Sequence, residues 1–254
     1  LNIKTISNYR GSLNIISHKY LRGKQLIEIK YKRKIYEFQT TLIGSIQIKN
    51  ILMAMLAAEK SGLKFEKISK VIDKIKPVTG RLQGVGTIKN KSKVILDYAH
   101  TPEALRASLQ SLKEQFKDKK ISIVFGCGGN RDKSKRSSMG KIANYYCDKI
   151  YLTDDNPRYE NPKKIRLTIK KQINKSNFYE VPDRSKAIQK AILDLNIGDI
   201  LIVAGKGHEN IQDYGKNKRL FSDTKEILKS IKIKNKNLSA NIKLNIINEI
   251  SKTN

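Results

Sequence analysis

The sequence is short of several residue types on which whole classes of protein depend. Its 254 residues contain no tryptophan, three histidines, five prolines and two cysteines. The cysteines, Cys127 and Cys147, form no C-x-x-C pair and are too few for a disulfide scaffold, which favours a protein of the reducing cytosol. No run of about 18 apolar residues occurs, so we expect no membrane span. The start also lacks a signal-peptide pattern.

Acidic residues are scarce beside basic ones. Lys and Arg number 52 against 23 Asp and Glu, a formal net charge of +29. Clustered basic charge is typical of nucleic-acid binding, because it neutralises phosphates. The lysines instead recur along the whole chain, without an RNP-type aromatic motif or zinc-ligand spacing, so we interpret the charge as a compositional bias. A positive surface would still attract polyanionic, nucleotide-linked substrates.

Turn-forming residues at 77–80 and a change of composition after about residue 233 divide the chain into three predicted segments, residues 1–79, 80–233 and 234–254. The first segment has alternating apolar residues that predict a hairpin around Lys32-Arg33-Lys34. A helix from Gly44 to Gly62 and a second helix over Phe65–Ile75, with an Ile68, Val71 and Ile72 core face, follow. Proline, threonine and glycine within residues 77–80 predict a hinge. The last segment is rich in Lys and Asn, and for it we predict a short helix or a mobile tail.

The middle segment alternates strands with helices, which predicts an α/β fold with a mainly parallel, Rossmann-like sheet. The predicted strands are Val94–Leu96, Ile121–Phe125, Ile150–Thr153, Phe178–Val181 and Ile200–Ala204. The predicted helices are Pro102–Phe116, Ser138–Tyr146, Pro162–Ile173, Arg184–Leu195 and one that begins at Ser222.

The third of these strands runs into Asp155-Asn156-Pro157-Arg158. Pro157 fixes φ, lacks an N–H and pushes Asn156 out of the helical region, so the strand ends in a turn that carries Arg158. Ligands of open α/β sheets bind beyond the carboxyl ends of the strands, and a guanidinium there suits bidentate recognition of a carboxylate. A solvated arginine in a turn is the alternative interpretation.

The segment TDDNPRYENP, residues 153–162, resembles the recognition motif of the Mur ligases that add meso-diaminopimelate to the peptidoglycan precursor. In that family the arginine grips the far carboxylate of diaminopimelate, which lysine does not have, and lysine-adding relatives lack the arginine. The resemblance therefore implies that diaminopimelate is bound by Asp155, Asn156, Pro157 and Arg158.

Two glycine-rich loops extend the resemblance. The loop GCGGNRD, residues 126–132, matches the family's Gly-Cys-Gly-Gly-x-Arg-Asp and implies that Arg131 binds the incoming amino acid. The loop GKGHE, residues 205–209, implies that Gly205 and Glu209 complete the pocket, the glutamate pairing with an ammonium group. Neither loop is a GxGxxG fingerprint or a phosphate-binding loop. We interpret Cys127 as a packed small residue and assign no role to Lys206 or His208.

Three further blocks resemble the ATP-binding parts of the same family. Gly44 and Asn50 precede a Leu-Ala-Ala helix as in the central domain, although Ile46 and Gln47 depart from its pattern. The junction TGRLQ, residues 79–83, has glutamine where the family has glutamate, and DYAHTPE, residues 97–103, matches the block near the ATP ribose. A helix-start role for Asn50 and a structural role for His100 are the alternatives. By resemblance, the ATP-binding residues are Asn50, Arg81, Asp97 and His100.

The resemblance covers roughly residues 40–232. It implies a cytoplasmic, ATP- and Mg²⁺-dependent ligase that joins meso-diaminopimelate to UDP-N-acetylmuramoyl-L-alanyl-D-glutamate. Residues 1–79 would belong to the central ATP-binding domain and residues 80–233 to the C-terminal, amino-acid-binding domain. We assign no catalytic residue and no metal ligand.

The sequence departs from a whole ligase of that kind. It begins with Leu1 instead of methionine and contains no Gly-x-x-x-x-Gly-Lys-Ser/Thr, so we expect a fragment that is inactive alone. The missing N-terminal domains would lie in the parent chain or in a separate chain. Two alternatives stay open: a folylpolyglutamate synthetase, which DNPR together with DYAHTPE disfavours, and a basic nucleic-acid-binding protein built on an inactive ligase domain.

Overall fold

The computed structural model describes residues 6–7, 13–21 and 23–250, with side chains described over 13–21 and 23–240. The chain forms two compact units, Leu1–Val78 and Thr79–Asn254. In the described part of the first unit the elements are β1 Ile6–Ser7, β2 Leu13–Leu21, β3 Lys24–Tyr31, β4 Lys34–Thr40, α1 Ser45–Lys60 and α2 Phe65–Ser69. In the second unit they are β5 Gln83–Gly84, β6 Lys93–Asp97, α3 Pro102–Gln115, β7 Ile121–Phe125, α4 Lys135–Tyr146, β8 Lys149–Leu152, α5 Pro162–Lys170, β9 Phe178–Glu180, α6 Arg184–Leu193, β10 Ile200–Ala204, β11 Ile211–Tyr214, β12 Asn217–Leu220 and α7 Asp223–Ile250.

The first unit pairs its described strands in the order β1-β2-β3-β4. The β3–β4 hairpin turns at Lys32 and Arg33, whose φ angles of 47° and 65° are those of a type I′ turn. This confirms the predicted hairpin. Helix α1 confirms the helix predicted from Gly44, and it packs Ile48, Leu52 and Met55 into the core of this unit.

The single helix predicted over Phe65–Ile75 is wrong. Helix α2 ends at Ser69, and Ile72–Lys74 form a separate 3₁₀ turn. Hydrogen bonds of the i→i+3 type close this stretch, with the Val71 N–H donating to the Ile68 carbonyl at 3.2 Å. The tighter winding keeps Ile72 buried but leaves Val71 47% exposed. Val71 therefore lies outside the core that the helical spacing predicted.

The second unit has the predicted α/β architecture. Its described six-stranded sheet has the order β5-β6-β10-β7-β8-β9, in which β5 pairs antiparallel and the other strands pair parallel. Strands β7 and β10 are buried along their whole length, as expected for a sheet covered on both faces. Because β10 inserts between β6 and β7, the loops after these three strands and after the neighbouring β8 meet at one edge.

Three helices of this unit begin where the sequence predicts and have identifiable caps. The Thr101 hydroxyl accepts the Ala104 N–H at the start of α3, and the Asn161 side chain accepts the Lys163 N–H at the start of α5. The Asp183 carboxylate accepts the Lys186 N–H at 3.0 Å and starts α6. Helix α4 begins at Lys135, earlier than the predicted Ser138, because Asp132 organises the preceding turn through the Ser134 N–H and hydroxyl.

Helix α7 continues through residues 234–250, the segment that the sequence analysis separates as a tail. Two polar residues at the start of this segment, Lys234 and Asn235, form hydrogen bonds with the rest of the second unit. The Lys234 ammonium donates to the carbonyls of Leu193 and Leu195 at 2.6 and 2.9 Å, at the end of α6. Asn235 Nδ2 donates to the Thr87 carbonyl at 3.0 Å, and Asn235 Oδ1 accepts the Lys89 N–H at 2.9 Å.

Among the described helices, none combines the length and apolar character that crossing a bilayer requires.

A fully buried ion pair joins α6, α7 and β10. Arg184 donates through Nε and Nη2 to the two Asp223 carboxylate oxygens at 2.8 and 2.7 Å, and Nη2 also donates to the Ala204 carbonyl at 3.0 Å. Both side chains are 0% exposed. Burial alone would lower the pKa of Arg184, but Asp223 raises it above the ordinary value. Arg184 therefore stays charged inside the apolar core.

We expect Arg184→Met to destabilise the second unit by about 3–5 kcal/mol, because it leaves Asp223 charged, buried and unpaired. The measurement is the free energy of opening of β10 amides, by urea-dependent hydrogen exchange on the full chain. Arg184→Met/Asp223→Leu should recover part of the loss. The control is Lys113→Met, which removes a pair whose side chains are 41% exposed and should change stability by less than about 1 kcal/mol. An Arg184→Met effect no larger than that of the control would contradict the prediction.

Candidate functional site

A cavity of about 670 Å³ opens at the carboxyl edge of the sheet in the second unit. Its walls come from the loops after β6, β7, β8 and β10 and from the start of α4. This is the crevice at the point where strand order reverses, the usual ligand site of an open α/β sheet. The predicted amino-acid-binding residues that line it are Arg131, Asp155, Asn156, Arg158, Gly205 and Glu209.

The seventh predicted residue, Pro157, does not line the cavity. Its carbonyl faces the glycine-rich loop instead, and a Cβ at Gly129 would lie 1.9 Å from that oxygen. A Cβ at Gly126 would lie 2.2 Å from the Thr153 carbonyl. Only glycine fits at both positions, because the loops after β7 and β8 touch backbone to backbone.

Arg158 is held in place by both of these loops. Its φ of 53° lies in the left-handed region, which a non-glycine residue keeps only when its surroundings enforce it. Its N–H donates to the Asp213 carbonyl at 2.9 Å. Nη1 donates to the carbonyls of Gly129 and Asn156 at 2.9 and 3.3 Å, and Nε lies 3.8 Å from an Asp213 carboxylate oxygen. The guanidinium is therefore fixed at the cavity wall while still partly exposed.

Asp155 is the most enclosed acidic group of the cavity, with 9% of its surface exposed. Burial raises the pKa of its carboxyl, while the positive charges of Arg184 and then Lys206 oppose that rise. No described residue donates a hydrogen bond to this carboxylate. A Cβ at Gly205, whose φ is 114°, would lie 2.7 Å from its Oδ2. Because glycine has no Cβ, Gly205 makes room for the Asp155 carboxylate.

Lys206 connects Asn156 with Glu209 beneath the cavity. Its ammonium donates to Asn156 Oδ1 and Glu209 Oε2, both at 2.9 Å, and to the Ile211 carbonyl at 2.7 Å. Asn156 Nδ2 also donates to Glu209 Oε2 at 2.9 Å. Burial alone would raise the pKa of Glu209, but the hydrogen bonds and charge of Lys206, with smaller contributions from Asn156 and Arg158, hold it below the ordinary value. Glu209 thus lines the cavity as an anion.

The β11–β12 hairpin, which was not predicted from the sequence, supports the recognition loop, the loop after β8 that contains Asp154 to Arg158. Gln212 is fully buried and donates to the carbonyls of Asp154 and Asp155 at 3.3 and 2.8 Å. The Asp213 N–H donates to Asn156 Oδ1 at 3.0 Å. Gly215, in the left-handed region with φ 76°, makes the turn. The two-residue connection Gly215-Lys216 between Tyr214 and Asn217 is the sequence signal for this hairpin.

The predicted ATP-binding residues of the second unit do not all line the cavity. His100 lines it, with Nδ1 2.9 Å from the Tyr98 carbonyl. Arg81 lies over the Tyr98 ring at 4.8 Å. Asn50 belongs to the first unit, where its amide donates to Gln47 Oε1 at 3.3 Å. Its helix-start alternative is wrong, because Gly44 occupies the N-cap of α1.

Asp97 is buried away from the cavity, with 4% of its surface exposed. Oδ1 accepts the Leu82 and Tyr98 N–H groups at 3.2 and 2.9 Å, and Oδ2 accepts the Ser108 hydroxyl at 2.5 Å. Burial raises the pKa of the carboxyl, which these hydrogen bonds and the charge of Arg81 partly counteract. Asp97 therefore joins the start of the unit to β6 and α3, and its contact with an ATP ribose stays a prediction.

Cys127 lines the cavity as a packed thiol. It is 4% exposed, and its sulfur lies 3.5 Å from that of Met139. Burial raises its pKa to about 12. The thiolate is the nucleophilic form of cysteine, so the structure agrees with the interpretation of Cys127 as a small core residue.

We expect Gly129→Ala to destabilise the second unit by about 1–3 kcal/mol, because the added methyl group meets the Pro157 backbone carbonyl. Gly128→Ala is the matched neighbour: its Cβ would meet the Arg158 Nη1 atom at 3.0 Å and the Asn156 carbonyl at 3.6 Å. Since a contact at 3.0 Å requires a shift of only a few tenths of an ångström, its effect should be smaller than that of a methyl group 1.9 Å from a backbone oxygen. Hydrogen exchange of β7 and of the loop after β8 measures both. Equal effects of the two substitutions would contradict the prediction.

Comparison with known proteins agrees with this geometry. The family model described as Mur ligase, glutamate ligase domain, matches residues 80–207. A UDP-N-acetylmuramoyl-L-alanyl-D-glutamate–2,6-diaminopimelate ligase of Rickettsia rickettsii is 42% identical over 234 residues, which are 91% of this chain and 48% of the relative. The ligase of the same name from Rickettsia bellii is 45% identical over 204 residues, covering 80% of this chain and 42% of the relative.

A solved structure of a ligase with this name is also similar. It has a TM-score of 0.69 and 30% sequence identity, over 91% of this chain and 47% of the other. The chain thus spans about half the length of the curated relatives it matches. These relatives give no support to the nucleic-acid-binding alternative. Because the family model matches half of the chain and the fold and cavity agree with it, the chain belongs to the Mur ligase family, with its glutamate ligase domain at residues 80–207.

Proposed function

We propose that the second unit is the amino-acid-binding domain of an ATP-dependent ligase that adds meso-diaminopimelate to UDP-N-acetylmuramoyl-L-alanyl-D-glutamate. One observation carries the proposal. Two arginines, Arg131 and Arg158, and two buried or half-buried carboxylates, Asp155 and Glu209, line a single cavity. A ligand with two carboxylates and two ammonium groups matches that set of charges.

In the proposed reaction, ATP phosphorylates the D-glutamate carboxylate, the diaminopimelate amine attacks the acyl phosphate, and inorganic phosphate leaves as the amide bond forms. The contribution of this unit is orientation of the amine. Arg158 would bind the distal carboxylate, Arg131 would assist in binding the amino acid, and Glu209 and Asp155 would pair with ammonium groups. Asn156, Pro157 and Gly205 would shape the pocket.

Four further residues of the chain are proposed to lie near ATP. Arg81, Asp97 and His100 in the second unit and Asn50 in the first would lie near the nucleotide, and residues 1–79 would belong to the central ATP-binding domain. The resemblance implies Mg²⁺ together with ATP, but no described group of three or more His, Cys, Asp or Glu side chains could hold a metal ion. We therefore assign Mg²⁺ to no residue of this chain. The proposed site of action is the cytoplasm, where the nucleotide-linked substrate would be used.

Arg158→Ala should abolish the preference for diaminopimelate over L-lysine. Isothermal titration of the full chain should show binding of meso-diaminopimelate and much weaker binding of L-lysine. The substitution should weaken diaminopimelate binding about 30-fold or more, because the distal carboxylate then enters the cavity unpaired. Arginine and alanine at position 158 must both adopt the same positive φ, so the substitution changes the energy of the backbone conformation little. Arg106→Ala, at an exposed position of α3, is the control; equal binding of both amino acids by the unmodified chain would sink the proposal.

The 254-residue chain alone should not catalyse ligation. Its sequence contains no Gly-x-x-x-x-Gly-Lys-Ser/Thr for the ATP phosphates. The purified chain would be incubated with ATP, Mg²⁺, UDP-N-acetylmuramoyl-L-alanyl-D-glutamate and meso-diaminopimelate, and the product followed by mass spectrometry. A full-length diaminopimelate ligase run in parallel validates the assay. Product formation by the chain without another polypeptide would overturn the expectation.

A further inference from the structure

The Lys206 ammonium is the most completely enclosed cation beside the cavity. The residue is 0% exposed and does not itself line the cavity. A lysine ammonium has three N–H donors, and all three have acceptors here: Asn156 Oδ1, Glu209 Oε2 and the Ile211 carbonyl, at 2.9, 2.9 and 2.7 Å. Lys206 therefore has no donor left for a ligand, and any influence on binding must pass through its partners.

The first partner, Asn156, has its amide orientation fixed. Its Oδ1 accepts from Lys206 and from the Asp213 N–H at 3.0 Å, while its Nδ2 donates to Glu209. The reversed amide would place Nδ2 against two donors and Oδ1 against a carboxylate. Only one orientation satisfies all of these groups. Lys206, together with the Asp213 N–H, thus fixes the orientation of the Asn156 amide.

The second partner, Glu209, has one carboxylate oxygen occupied and one available. Oε2 accepts from Lys206 and Asn156, while no described residue donates to Oε1. The charged groups that act on Glu209 are Lys206 and Arg158, which favour its anionic form, and Asp155, with Arg184 further inside the core. Lys206 alone combines a direct hydrogen bond with a full positive charge. It holds the carboxylate rotated so that Oε1 is left for a ligand.

We propose that Lys206 is a positioning residue of the amino-acid site, which orients Asn156 and Glu209 so that Glu209 Oε1 receives the ammonium group of the bound amino acid. The inference rests on the proposed function and deepens it. Lys206 governs the ammonium end of the ligand, whereas Arg158 governs the carboxylate end. A lysine that served only to fill the core would not act through Glu209.

A double-mutant cycle tests this coupling. Lys206→Met keeps the length of the side chain and removes its charge and donors. Titration of the full chain with meso-diaminopimelate should show roughly tenfold or greater weakening in Lys206→Met. In a Glu209→Gln background the same substitution should have a clearly smaller effect, since only the contact with Asn156 remains for it to act through. Lys229→Met, an exposed lysine of α7, is the control. Additive losses, unchanged binding or tighter binding in Lys206→Met would each overturn the proposal.

A second measurement needs no ligand. The Glu209 carboxyl carbon would be titrated by NMR in the ¹³C-glutamate-labelled chain and assigned with Glu209→Gln. Lys206 lowers the pKa of Glu209, so Lys206→Met should move the titration of Glu209 to higher pH. The pH below which diaminopimelate binding is lost should rise by the same amount. Lys229→Met should move neither. An unchanged Glu209 titration in Lys206→Met would refute the positioning role.

The two measurements separate this inference from the proposed function. If the unmodified chain binds no diaminopimelate while Lys206→Met still shifts the Glu209 titration, the function fails and the positioning of Glu209 stands. If the unmodified chain binds diaminopimelate and Lys206→Met binds it equally, the function stands and the inference fails. Lys206→Gln, which retains a donor, is the second variant. Loss of folded structure in both variants, by circular dichroism, would assign Lys206 to folding and overturn the proposal.

Discussion

Buried positive charge makes the acidic cavity possible. Asp155 and Glu209 lie at the end of a sheet whose strands β7 and β10 are buried along their whole length, and desolvation there favours protonated carboxyls. Arg184 and Lys206, both 0% exposed, supply the compensating cations from below. Arg184 also neutralises Asp223 and donates to the Ala204 carbonyl, immediately before Gly205. The same cations therefore stabilise the core of the second unit and oppose protonation of the carboxyls at its functional edge.

The topology of the sheet explains why these charges meet. Strand β10 returns between β6 and β7, so residues far apart in sequence become neighbours at one edge. The β11–β12 hairpin then folds back, and Gln212 satisfies the carbonyls of the recognition loop that burial would otherwise leave unpaired. Glu209 and this hairpin follow residue 207, where the family-model match ends. The complete site is thus larger than the matched domain.

Sequence patterns predict the elements whose signals are local. The apolar runs Ile121–Phe125 and Ile200–Ala204, each ending at glycine, are strands with the predicted bounds. The family motifs predict six residues that line one cavity, although their roles in binding are proposals. Lys206 could not be assigned from its motif, because its partners Asn156 and Ile211 are set by tertiary structure. For the same reason the contacts that Asp97 makes inside the unit, with the Leu82 N–H and the Ser108 hydroxyl, could not be predicted from its motif.

The backbone contact between the loops after β7 and β8 also affects the thermodynamics of recognition. Gly126 and Gly129 bring these loops to direct contact, and Arg158 Nη1 donates across them to the Gly129 carbonyl. A ligand entering the cavity meets groups that are already ordered, so little loop entropy is lost on binding. If this cavity binds amino acids as proposed, selectivity among them would come from how well their charges match a fixed spacing. An amino acid that lacks one charged group would gain nothing from rearrangement of these loops.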